Sequence, residues 1–207
     1  MSMKVLAGMG LGCLALLWVL GRIKSAETAS APDSVSSQRS DGWNIRESRS
    51  PMDDSRIVTL SLKAQNMIRG PLGEKRPTLI LRCQAKTTDI YVVTEMAANI
   101  EENSDGGPEV TRTVGIRLDD QPARHEGWLE STDHTALFAE ASIFNTRNVV
   151  EYPSGPLVPL AKEIAKAKTL TFQFTPFDGS PQIAKFDLRG IDSHVGKLAE
   201  ACGWPME

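Results

Sequence analysis

The residues here with chemistry to offer are histidine, cysteine and paired carboxylates, and each is sparse. The three histidines, His125, His134 and His194, stand at no metal-ligand spacing, and neither Cys83 nor Cys202 has the near partner that a zinc site uses. They read as surface or capping residues. Asp53-Asp54 and Asp119-Asp120 are adjacent carboxylates of the kind that calcium binding or acid–base work would use. Both pairs fall in proline-containing turns, where aspartate commonly satisfies nearby backbone groups. Glu101-Glu102 with Asp105 forms an acidic loop without the ligand spacing of a calcium hand. No nucleophile elbow, phosphate loop or zinc-protease helix occurs. These residues imply no metal, no cofactor and no enzyme. Trp43, Asp53, Asp54 and Trp128 are a possible binding face, although tryptophans such as Trp43, Trp128 and Trp204 more often fill a sandwich core.

Cys83 and Cys202 raise a different chemistry. They are the only cysteines after the N-terminal apolar segment, an even count, and each falls on the apolar face of its element. In an oxidising compartment they would pair; otherwise they are two buried thiols acting as small hydrophobes. A bridge would close a loop of over one hundred residues. On the chain-entropy model that stabilises by up to about 4–5 kcal/mol, less any strain.

The elements that place these residues are mostly strands. Val58, Leu60 and Leu62 alternate with polar residues over 56–64, and Leu79, Leu81 and Cys83 do so over 78–84. A polar turn at Lys86–Asp89 leads to a partner strand over 90–95, and further strands are expected over 110–118, 124–130, 170–175 and 182–188. Residues 66–77 read as a loop, and 131–143 fit either a strand or a short helix. Pro159 opens a short helix over 159–168. Ile191, Val195, Leu198 and Cys202 share one face of a C-terminal helix over 191–202, which Gly203 caps. Strands at short intervals with two helices predict a mainly β domain, an antiparallel sandwich or open barrel with helices at its margins.

The chain has 207 residues, 41% of them apolar and 24% charged, with a net charge of −3, which suits one globular domain plus a leader. No basic block exceeds two residues and aromatics are few, so nucleic acid is not an expected partner. Val5–Gly21 runs seventeen residues without a charge. As a helix it spans about 25 Å, the length of a long signal-peptide core or a barely sufficient membrane span. Ala29-Ser30-Ala31 has the form of a cleavage site, while Arg22 and Lys24 favour an uncleaved anchor. The expected organisation is a signal peptide or anchor over 1–24, a Ser- and Ala-rich tether over 25–42 and a folded domain over 43–207.

An ordered set of segments stands out along the chain: Trp43 with Ser50-Pro-Met-Asp-Asp-Ser55, Val58–Ala64, Pro77–Cys83 with Thr88–Tyr91, and Arg117-Leu-Asp-Asp120. Trp128, Ser131, Ala136-Leu-Phe138, Thr175-Pro-Phe177 and Phe186–Ile191 through Ala201-Cys-Gly-Trp204 complete it. Together these segments resemble the VasI family of type VI secretion-associated proteins. The resemblance covers nearly all of 43–204, departing at the acidic loop 99–108 and the insert 145–159. It implies an exported, β-rich periplasmic protein without catalytic residues, held to the inner membrane if residues 5–21 remain. Its partners would be proteins or cell-envelope components, and its role accessory to secretion. The rivals are a prophage-encoded envelope module for lysis or exclusion, and an envelope hydrolase using the turn aspartates.

Overall fold

A computed structural model describes residues 38–40, 42–70, 73–98, 111–140 and 157–204. The apolar segment 5–21 and the acidic loop with Glu101, Glu102 and Asp105 lie outside the described residues.

The described chain is mainly β. In order it forms β1 (Gln38–Ser40), β2 (Trp43–Arg49), β3 (Arg56–Lys63), β4 (Ile68–Gly70), β5 (Gly73–Lys75), β6 (Thr78–Gln84) and β7 (Thr87–Val93). Next come β8 (Thr111–Leu118), β9 (Arg124–Glu130), β10 (Ala136–Ala139), α1 (Val158–Lys166), β11 (Thr169–Phe174), β12 (Gln182–Asp187) and α2 (Asp192–Cys202). Ten strands make one antiparallel sheet in the order β1-β2-β3-β6-β7-β10-β9-β8-β11-β12, and β4 and β5 pair separately. The path from β7 out to β8 and back through β9 to β10, beside β7, is a Greek key.

Side-chain parity explains which face is inside. Val58, Leu60 and Leu62 of β3, Leu79, Leu81 and Cys83 of β6, and Leu170, Phe172 and Phe174 of β11 are all buried in one continuous core. α2 packs on β3 and β6. There the sulfurs of Cys83 and Cys202 are joined in a disulfide, with Cα atoms 5.6 Å apart. Trp204 tucks in beside them and donates its indole N–H to Thr88 Oγ1 at 2.8 Å. The helix ends in a Schellman turn: Gly203, at φ 65°, sends its N–H to Glu200 O, and the Trp204 N–H reaches Ala199 O.

The last strand is tied back to the residue stretch after β3. Gln65 donates its backbone N–H to Lys185 O at 2.7 Å. Asn66 donates from Nδ2 to Ile183 O at 2.7 Å and accepts the Lys185 N–H at Oδ1 at 2.8 Å. An asparagine side chain thus stands in for backbone along the outer edge of β12.

Several boundaries differ from the sequence reading. β7 begins at Thr87 because Ala85 and Lys86, at φ 49° and 62°, make a two-residue hairpin turn without the usual asparagine or glycine. The loop expected over 66–77 contains β4 and β5, and the stretch expected as tether carries β1, paired with β2. The ambiguous 131–143 stretch contains β10, a strand wedged between β7 and β9. On α2 the buried stripe is centred on His194, Leu198 and Cys202, with Val195 at its margin, so His194 is an interior residue.

Cys202→Ser is expected to lower unfolding free energy by about 2–5 kcal/mol, the usual range for losing a native disulfide. Urea denaturation without reductant measures it. Gly203→Ala meets no atom within 4 Å, so only the left-handed backbone opposes it. Its expected loss is about 1 kcal/mol in the same assay.

Candidate functional site

Charged side chains gather on the inner face of β8 and β9, where parity would place apolar ones. On β9, Glu126, Trp128 and Glu130 point inward and His125 and Leu129 outward; on β8, Arg112 lies inward opposite Trp128. Arg112 and Glu130 have side-chain exposures of 7% and 6%. Arg112 donates from Nε and Nη2 to the same Glu130 oxygen at 3.1 and 2.7 Å. The other Glu130 oxygen accepts the backbone N–H of Ala98 at 2.7 Å. His134 Nδ1 stands 3.2 Å from Glu130 Oε2. Glu130 therefore joins β8, the β9–β10 turn and the end of the stretch that follows β7.

Glu126 is engaged in the same way. Its Oε1 accepts from Arg124 Nε at 2.7 Å and its Oε2 from the Trp128 indole at 3.0 Å. Arg124 Nη2 continues to Glu163 Oε2 on α1 at 2.7 Å. All four oxygens of Glu126 and Glu130 thus already accept hydrogen bonds. Burial pushes the Glu130 carboxyl up, but the Ala98 N–H and the Arg112 guanidinium outweigh it and hold the group below its ordinary value. A carboxylate so fixed is an ion-pair anchor and a poor general acid. One buried donor, Arg112 Nη1, finds no hydrogen-bond partner among the described residues.

The residues singled out from sequence do not assemble into a face. Trp43 is fully buried, donating its indole N–H to Leu188 O at 3.2 Å, and Trp128 is buried against Phe172. Asp53 and Asp54 lie in the exposed β2–β3 turn. Hydroxyl bonds from Ser50 and Ser55 hold the Asp53 carboxyl below the usual range, a turn-closing role. Asp119 does similar work at longer range: its Oδ1 accepts the backbone N–H groups of Lys168 and Thr169 at 2.9 and 2.8 Å. The expected binding face of Trp43, Asp53, Asp54 and Trp128 is corrected accordingly: strand parity turns both indoles into the core. His125 and His134 are exposed. Among the described residues no group of three His, Cys, Asp or Glu side chains could hold a metal ion.

Sequence reading missed Arg112, Glu126 and Glu130. The signal was parity with Trp128: a strand that turns Trp128 inward must turn residues 126 and 130 inward too.

No protein-family model, curated protein or solved structure matches the chain.

The pH dependence of stability follows from Glu130. Its carboxyl is held below the ordinary 4.5, so its contribution is complete above that value and fades as pH falls through the lower, folded one. Glu130→Gln should lose about 3 kcal/mol at pH 7, because Arg112 is left buried without a counter-charge. Its melting temperature should also vary less than that of the parent between pH 5 and 3. Arg112→Leu combined with Glu130→Leu should cost less than the two single changes summed, as a double-mutant cycle would show.

Proposed function

We propose that this is an exported, non-enzymatic accessory protein of type VI secretion, acting from the periplasmic side of the inner membrane by binding protein or cell-envelope components. The observation that carries the compartment is the Cys83–Cys202 disulfide, a bond that persists where thiols are oxidised. The ordered resemblance to the VasI family across 43–204 supports the association with secretion. Among the described residues no helix is long and apolar enough to cross a membrane. The membrane link in this proposal rests on residues 5–21, as a signal peptide or an uncleaved anchor.

The binding role is supported by how the polar groups are arranged. The interior carboxylates are closed into ion pairs, and Asp53 is bonded within its own turn. We read the sheet as an open barrel, a reading supported by the bonds that lace β12 to Gln65 and Asn66. α2 then covers one part of the interior, and the outer face is left for recognition.

Deleting the gene in a bacterium with a working type VI apparatus should reduce secretion of its effectors or killing of competitors. Unchanged secretion and killing would overturn the role. The compartment has its own check: denatured protein from the periplasmic fraction should take up thiol label at Cys83 and Cys202 only after reduction.

A further inference from the structure

The outer face of the sheet carries an apolar row that the core does not require. Register places Ile80, Tyr91, Phe138 and Leu129 side by side across β6, β7, β10 and β9. All four are half-buried, on the side opposite Leu79, Val92, Leu137 and Trp128. Tyr91 and Phe138 stack with ring centroids 4.4 Å apart, and the Arg82 guanidinium lies 5.4 Å from the Tyr91 ring centre. The two rings are held against one another, face to face across β7 and β10.

Cations outnumber carboxylates around this row, three to two among the described residues. The outward rows on either side contain Arg46, Arg82 and Lys63. Two carboxylates stand against them: Asp89, paired with Arg82 at 2.8 Å, and Glu140, the residue after β10, which has the parity of Phe138. Arg46 and Lys63 are exposed. This excess of cations stands in a chain whose net charge is −3. An aromatic and aliphatic centre beside arginine, with a charged rim, is the composition of a protein interface. The four side chains are half-buried, so little of their surface would enter an acyl layer, and lipid is the poorer fit.

We propose that this outer face of β3, β6, β7, β10 and β9 docks a protein partner that presents carboxylates beside an apolar strip. The charge complementarity sets partner choice and encounter rate, while the aromatic row supplies the contact. The proposal rests on the binding role proposed above and gives that role a surface.

The test uses the full chain in cells with a working apparatus. A photo-reactive phenylalanine analogue is placed at Thr78, which lies beside the row, or at Thr171, which lies between Arg117 and Lys185 on the outer face of β11. Thr171 is flanked by cations but has no apolar row, so it reports attraction by charge alone. The Thr78 position should cross-link to a protein of acidic isoelectric point, and the Thr171 position should not. Arg46→Glu with Lys63→Glu should lower the Thr78 yield by about tenfold with the melting temperature unchanged, and the Gln pair should lower it less. Four results would overturn the surface: no adduct at Thr78, a lipid adduct there, equal yield from Thr171, or a yield indifferent to charge reversal. A secretion defect on deletion with no Thr78 adduct would remove this surface and leave the accessory role. An adduct without a secretion defect would do the reverse.

Discussion

The inner face of a wide antiparallel sheet has to be covered, and most of this molecule is arranged by that requirement. Alternation along ten paired strands commits every second residue to one side, so no strand can slip by one without exposing its apolar set. Two helices contribute buried side chains to the core. α2 lies on β3 and β6, and the disulfide fixes its end to the middle of the sheet instead of leaving it to packing alone. Trp43 and Trp204 fill the space nearby, and each finds a partner for its indole N–H, without which burial of so large a ring would be penalised.

The Greek-key half obeys the same rule with charged residues in place of apolar ones. Arg112, Glu126 and Glu130 face inward because of the parity of β8 and β9, and they are tolerated because nearly every polar atom is matched. Such a pair adds little net stability compared with well-packed apolar residues. What it adds is geometry. One carboxylate holds the backbone at Ala98, the β8 guanidinium and the His134 turn in fixed relation, so alternative pairings of β8, β9 and β10 would strand a charge.

How much of this was legible in the sequence varied with the kind of signal. Clean alternation located β3, β6, β8 and β11 to within a residue or so, since the pattern and the burial have the same period. Pro159 and Gly203 marked helix ends through their own backbone chemistry. The Ala85-Lys86 turn was hidden because its residues advertise no left-handed preference; the pairing of β6 with β7 imposes it. β4 and β5 were too short to show a period. The ion-pair cluster was hidden for a different reason: charged residues in a strand are read as solvent-facing unless the parity of a neighbouring tryptophan is followed through.

Asn66 has a consequence beyond tying β12 to the residues after β3. An edge strand offers a row of free amides and carbonyls to any other extended chain, which is how sheets grow into aggregates. Along β12 the Asn66 carboxamide occupies the Lys185 N–H and the Ile183 carbonyl together, the two groups through which a foreign strand would register. Ile183 itself is 44% exposed, so the same edge carries an apolar side chain that would favour such stacking. A single amide, donor and acceptor at once, therefore ends the sheet where it would otherwise be most able to polymerise. Aspartate, with no donor to offer the carbonyl, would leave that end half open.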